Sequence, residues 1–121
     1  MGNFQNMEIW KDSKSLAVKI YKITSKGRFT NDLSFRDQIR KSAVSIPSNL
    51  AEGEESGFEK GSLRYFYIAN GSLAELRTQI EIAKEIGYIR ETEYQAIQDS
   101  TTILAKRLMS LIQFRQRKLN K

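Results

Sequence analysis

Histidine and cysteine are both absent from this chain of 121 residues, and proline occurs once. The absence of cysteine excludes disulfides, thiol nucleophiles and cysteine-bound metals, and the absence of histidine removes the commonest general base and metal ligand. Together they exclude Ser-His-Asp and Cys-His catalysis, Glu-x-x-His di-iron bundles, bis-histidine haem bundles and histidine-dependent ribonucleases. We therefore expect no enzymatic activity, no cofactor and no metal site.

Long apolar runs are also missing, although 40% of the residues are hydrophobic. No run approaches the roughly 18 residues that a membrane-spanning helix needs, and the N-terminal segment lacks both parts of a secretory signal. We expect a cytoplasmic protein without a membrane partner. A chain of this length supports a single domain, which we expect to cover residues 1–121.

Positive charge is concentrated at the two ends of the chain. The formal net charge is +6, of which residues 1–27 and 91–121 carry +3 each, whereas residues 28–57 carry −1 and residues 58–90 carry +1. Between Lys106 and Lys121 there are six basic residues and no acidic one. This distribution favours an anionic partner, although basic ends also occur on ordinary solvated surfaces.

Apolar residues recur at helical spacing in four segments. In the longest segment the steps are 3, 4, 3, 4 and 3 through Phe66, Ala69, Leu73, Leu76, Ile80 and Ala83. The phase continues across Gly71, so this stretch is interpreted as one helix in which the glycine admits a neighbouring helix. We predict helices at about 7–26, 34–52, 59–86 and 92–115, followed by a basic end at 116–121. Their short connections predict an all-α, antiparallel up-down-up-down four-helix bundle.

The single proline, Pro47, lies inside the apolar stripe of the second helix. It removes one backbone donor and crowds the carbonyl of Ala43, a disturbance of roughly 3 kcal/mol in a helix interior. We expect a kinked helix in which Ser45, Ser48 or Asn49 bonds to the freed carbonyl.

The ends of the helices are predicted from capping signals. Gly53 is interpreted as the C-terminal cap of the second helix, and Ser56 with Glu59 as the capping box of the third. Arg115 falls on the continuation of the last apolar stripe. Residues 114–121 are therefore expected to project past the bundle or to fray.

The first helix has two chemically distinct sides. Its lysines cluster opposite the apolar stripe, at Lys11, Lys14, Lys19, Lys22 and Lys26. They either form a contact surface for an anionic partner or only solvate the outer face, which is the common design.

Three consecutive aromatic residues, Tyr65, Phe66 and Tyr67, point about 100° apart on a helix. Phe66 belongs to the apolar stripe. Tyr65 and Tyr67 are therefore expected at helix boundaries or on a subunit interface, with base stacking as the alternative.

Three carboxylates, Glu52, Glu54 and Glu55, lie in the break after the second helix. A nuclease would need a divalent-ion site here, but the stretch lacks the oxygen-ligand spacing of an EF-hand loop. Acidic residues also suit a loop that leads into a helix N-terminus, so we assign no metal ligand and no catalytic residue.

Two strings in the chain resemble a known family. Residues 38–53, Q-I-R-K-S-A-V-S-I-P-S-N-L-A-E-G, are typical of the bacterial 23S rRNA intervening-sequence proteins, also called the S23 ribosomal protein family. Residues 68–89 look like the third helix of that family. The resemblance implies a four-helix bundle in a closed ring, usually a homopentamer, in which Pro47, Tyr65 and Tyr67 are candidate interface residues. It also implies an association with RNA, and the family is similar to accessory proteins of diversity-generating retroelements, which work with a reverse transcriptase.

Two functions remain open at this point. The first is a non-enzymatic, oligomeric scaffold that binds RNA or DNA, or that serves a reverse transcriptase or another protein. The candidate nucleic-acid contacts are Lys11, Lys14, Lys19, Lys22, Lys26, Lys106, Arg107, Arg117 and Lys118. Arg40 and Lys41 are further candidates, which alternatively bridge subunits. The second function is a protein–protein assembly module that binds no nucleic acid.

Overall fold

The computed structural model describes residues 3–120, which form four α-helices and two short 3-10 helices. The α-helices are α1 (Glu8–Ile23), α2 (Leu33–Glu55), α3 (Glu59–Glu85) and α4 (Glu91–Leu119), and the 3-10 helices are Phe4–Asn6 and Gly27–Asn31. Within residues 3–120 there is no β-strand. The prediction of an all-α four-helix bundle is therefore confirmed. None of the helices in this part of the chain is long and apolar enough to cross a bilayer.

The apolar stripes of the four helices meet in a single core. Each contributes side chains that are almost completely buried, among them Ile20, Ile39, Leu76 and Ile97. α2 packs most extensively against α3, and α3 against α4, whereas α1 and α4 share a smaller contact. The seam between α1 and α4 is thus the most open one between neighbouring helices.

The connection between α1 and α2 contains a short helix. α1 ends at Ile23, where the hydroxyl of Thr24 donates to the carbonyl of Ile20 at 2.7 Å. The chain then turns at Gly27, whose φ is +64°, into the 3-10 helix Gly27–Asn31. This helix buries Phe29 completely.

Gly53 is an interior residue of α2, so its interpretation as the helix cap is wrong. α2 continues to Glu55, and Gly53 is buried against α3. A Cβ atom at this position would lie 2.5 Å from Cε1 of Phe66. The glycine is required by the close approach of the Phe66 ring, and the sequence pattern of a helix followed by glycine does not distinguish this from a cap.

α2 is continuous through Pro47. The amide of Asn49 donates to the carbonyl of Ser45 at 2.8 Å, where a bond to the carbonyl of Ala43 had been expected. The Ser45 hydroxyl lies 2.7 Å from the Ser72 hydroxyl on α3. The polar groups near the proline therefore join α2 to α3.

α3 runs unbroken through Gly71, as its apolar phase predicts. The predicted reason for this glycine was the close approach of a neighbouring helix. This is wrong for the helices of one chain, because a Cβ atom on Gly71 would meet nothing within 4 Å. The capping box of Ser56 and Glu59 is also wrong. Phe58 precedes the first turn of α3 without a side-chain cap, and the Ser56 hydroxyl donates to its carbonyl at 3.2 Å.

The C-terminal turns of α4 pack on the bundle instead of fraying. α4 continues to Leu119, which contacts the core. The Arg115 side chain lies between an acidic residue of α2 and one of α3. Its guanidinium donates to Glu54 at 2.7 Å and to Glu59 at 3.4 Å, and it lies 5.2 Å from the centre of the Phe66 ring. An arginine on the apolar stripe is stable here because its charge is paired and its planar group covers an aromatic ring. Lys121, the last residue of the basic end, lies outside the described residues.

Candidate nucleic-acid interface

The lysines of α1 and of the turn after it lie on the surface, as the sequence predicts from their spacing. All five are exposed: Lys11, Lys14, Lys19, Lys22 and Lys26. Lys11 lies 3.5 Å from Glu8, and the ammonium of Lys14 lies 5.4 Å from the Trp10 ring. These exposed contacts are weak, so the ammonium groups remain accessible to an anionic partner.

Of the five lysines, Lys26 forms the shortest ion pair, at 3.1 Å with Glu93 near the start of α4. The backbone N–H of Arg90 donates to the same carboxylate at 2.9 Å. This hydrogen bond, followed by the nearby Lys26 and Arg90 charges, lowers the pKa of Glu93. Because Glu93 therefore stays ionised, it offsets part of the charge of Lys26.

Among the candidate basic residues of α4, Arg107 contacts α1. Arg107 forms an ion pair with Asp12 on α1, and Lys106, Arg117 and Lys118 are exposed along α4. The pair Arg107–Asp12 joins α4 to α1, and the pair Lys26–Glu93 joins α4 to the turn after α1. Lys19, Lys26 and Arg107 thus lie along the seam between these segments, in a strip called here the α1–α4 basic face.

Arg40, on α2, is held against the end of α1. Its guanidinium donates to the Thr24 hydroxyl at 2.8 Å and to the Ser25 hydroxyl at 3.2 Å, and it lies 4.4 Å from the Tyr21 ring. These contacts fasten α2 to the end of α1. The neighbouring Lys41 is exposed.

A cleft opens in the seam between α1 and α4, and sequence reasoning did not find it. It encloses about 290 Å³. Its walls combine cationic, hydroxyl and aliphatic side chains, from Asp12, Ser15, Leu16, Lys19, Ser100, Ile103, Leu104 and Arg107. The only signal in the sequence was Ile103, an isoleucine outside the apolar stripe of its helix.

The three candidate interface residues occupy different environments. Pro47 and Tyr65 are half-buried on α2 and α3. Tyr67 is 51% exposed, and its hydroxyl donates to the side-chain oxygen of Gln116 at 3.1 Å. Tyr67 therefore lies at the boundary between α3 and α4.

The outward face of α3 exposes apolar side chains that the other helices within residues 3–120 leave partly uncovered. Ile68, Ile82 and Ile86 are between 41% and 45% exposed, and their spacings of 14 and 4 residues place them on one side of the helix. Gly71 lies on the same face, next to open space. On α2, Val44 is 40% exposed.

The three carboxylates at residues 52–55 belong to the last turn of α2, not to a break after it, and one of them is ion-paired. Glu54 contacts Arg115, as described above, and Glu52 and Glu55 point to solvent. Within residues 3–120, no group of three or more acidic side chains is arranged to hold a metal ion.

Comparisons with known proteins agree on fold and family. The family model described as 23S rRNA-intervening sequence protein matches residues 5–110. A crystal structure from Bacteroides thetaiotaomicron VPI-5482, described as a protein with unknown function from the S23 ribosomal protein family, is similar with a TM-score of 0.79 and 24% identity. The match covers 87% of this chain and 95% of that one. No curated protein sequence matches the chain.

Proposed function

This chain belongs to the 23S rRNA-intervening sequence protein family, and from that premise we propose that it is a non-enzymatic scaffold that binds nucleic acid through the α1–α4 basic face. One observation carries the proposal: the exposed residues Lys19, Lys26 and Arg107, from distant parts of the chain, lie along one seam. Exposed cations along one groove attract phosphates whatever the base sequence.

We further propose an antiparallel up-down-up-down bundle assembled into a ring. The order of the contacts supports the antiparallel arrangement, since Glu81 meets Tyr94 whereas Tyr67 meets Gln116, farther along α4. A homopentamer is the ring implied by the family resemblance. Each ring repeats the basic face, and several linked weak contacts bind a polymer far more tightly than one. We place this scaffold in the cytoplasm, with RNA, DNA or a reverse transcriptase as its partner.

Charge reversal tests the nucleic-acid proposal. The double variant Lys19→Glu and Lys26→Glu is expected to weaken RNA and DNA binding by about 10- to 100-fold near 0.1 M salt, because it removes phosphate contacts and adds repulsion. The slope of log affinity against log salt should become shallower by about two per subunit. Fluorescence anisotropy across a salt series measures both quantities.

The matched control for that experiment is Lys60→Glu with Arg64→Glu. Both residues are exposed, both lie on α3 outside the basic face, and the change in net charge is identical. The control should weaken binding only slightly. Equal losses for the two double variants would mean that net charge alone acts, and an unchanged affinity of the Lys19 and Lys26 variant would contradict the proposal.

The outward face of α3 favours the second candidate function, a protein–protein assembly module. Ile68, Ile82 and Ile86 offer an apolar surface for a second protein, and the excess charge would then serve only solubility. The native protein would in that case bind neither RNA nor DNA at low salt.

Gly71 provides a test of self-association on this face. In an isolated chain, Gly71→Ala should stabilise α3 by roughly 1 kcal/mol, because the new methyl group meets no atom and alanine is the better helix former. If a neighbouring subunit approaches α3 here, the same methyl group obstructs it. We expect Gly71→Ala to lower the molar mass measured by light scattering.

A suitable control is Gly57→Ala, since Gly57 also faces open space but lies in the connection between α2 and α3. It should leave the molar mass unchanged. An unchanged molar mass for Gly71→Ala, together with a higher melting temperature, would show that this face is free.

A further inference from the structure

The cleft between α1 and α4 lies inside the α1–α4 basic face. The Arg107–Asp12 pair crosses the seam at the cleft, and the Lys26–Glu93 pair closes the seam nearer the start of α4. Between these two ion pairs, α1 and α4 leave a cleft with a volume of about 290 Å³. The opening is therefore bounded on two sides by bridging ion pairs.

The interior of the cleft is chemically different from its surroundings. Leu16 and Leu104 are almost completely buried beneath it, whereas Ile103 is 53% exposed. Lys19 and Arg107 contribute positive charge to its walls. An exposed isoleucine in the middle of a cationic surface gives apolar contact at the place where phosphates would be held.

Surfaces that bind single-stranded nucleic acid combine these same two properties. A positive groove follows the backbone, and apolar or aromatic side chains cover bases that have left the stack. A duplex cannot use such a cleft, because its bases are stacked on one another and only its phosphates and base edges are accessible.

We infer that the cleft accepts an unpaired nucleobase of a single strand, with the base against Ile103 and the adjacent phosphates near Lys19 and Arg107. Ser15 and Ser100 supply hydroxyl groups for the base edge, whereas Asp12 is paired with Arg107. The inference rests on the proposed function and narrows it, because it assigns the α1–α4 basic face to single strands in preference to duplexes.

Ile103→Ala tests this assignment. With a fluorescent single-stranded RNA and a duplex of the same sequence as probes, the variant should lose about five- to tenfold in affinity for the single strand. Its affinity for the duplex should change less than about twofold, and the salt slope should stay the same because no cation is removed. Ile103→Tyr, which supplies a ring for stacking, should restore or exceed the native affinity for the single strand.

Met109→Ala is the matched control, because Met109 lies on the same helix, is 41% exposed and does not line the cleft. It should leave both affinities unchanged. Melting temperatures of all variants verify that each one is folded.

Equal affinity of the native protein for single strand and duplex, with no effect of Ile103→Ala, would overturn the inference and leave the nucleic-acid proposal standing. Parallel losses of both affinities in Ile103→Ala would overturn it as well. Binding of neither probe by the native protein would refute the proposed function and this inference together.

Discussion

Gly53→Ala is expected to lower the free energy of unfolding by about 2 kcal/mol, even though alanine is the better helix former. The added Cβ atom would lie 2.5 Å from Cε1 and 2.8 Å from Cδ1 of Phe66, closer than non-bonded carbon atoms approach. The Phe66 ring is completely buried, so it cannot move without disturbing its neighbours. The overpacking at this α2–α3 crossing should exceed the gain of roughly 1 kcal/mol in helix propensity.

Urea denaturation at a fixed protein concentration measures this effect. Gly57→Ala, which places a methyl group in open space, should change the stability only slightly. A smaller residue at position 66 should relieve the clash, so Phe66→Leu combined with Gly53→Ala should cost less than the sum of the two single changes. A Gly53→Ala variant as stable as the native protein would mean that the ring has room to move.

Arg115→Met should destabilise the protein by a similar amount, about 2 kcal/mol. The Arg115 side chain, only 16% exposed, is the shared partner of Glu54 and Glu59, whose side chains are 18% and 33% exposed. Methionine covers the Phe66 ring but leaves two carboxylates close together without a cation. One oxygen of Glu59, Oε2, is already buried without a hydrogen-bond partner, which makes the loss of the remaining charge contact costly.

The origin of the loss can be separated by neutralising the acids. In a background of Glu54→Gln and Glu59→Gln, Arg115→Met should cost much less, because no uncompensated charge remains. Arg115→Lys should recover part of the stability, since an ammonium pairs with one carboxylate but does not form the two-armed contact. An equal loss in both backgrounds would assign the effect to packing on Phe66 instead of charge.

The apolar periodicity of the chain determined much of the fold. The steps through Phe66, Leu73 and Ile80 predicted one long helix across Gly71, and α3 has nearly the predicted bounds, Glu59–Glu85. The spacing of the lysines in the first helix likewise predicted their exposure. Both features depend only on which side of a single helix a residue occupies, and a repeat of 3.6 residues per turn fixes that side locally.

Contacts between helices could not be predicted from the apolar periodicity. Gly53 followed an apolar stripe as a cap would, and Arg115 interrupted a stripe as a frayed end would. Gly53 is instead required by the Phe66 ring on α3. Arg115 is instead paired with Glu54 on α2 and Glu59 on α3. Nothing in the local pattern records how closely two helices approach or which charges meet.

The same distinction between local pattern and tertiary contact applies to the candidate site. The sequence by itself determined that the chain is basic at both ends, forms four amphipathic helices and lacks histidine and cysteine. Only the tertiary structure decided that α1 and α4 share one face, that Arg40 is turned toward the end of α1, and that a cleft exposes Ile103 between the two basic helices. The physical reason is that amphipathic periodicity specifies which face is buried, whereas the packing of distant side chains specifies what that face meets.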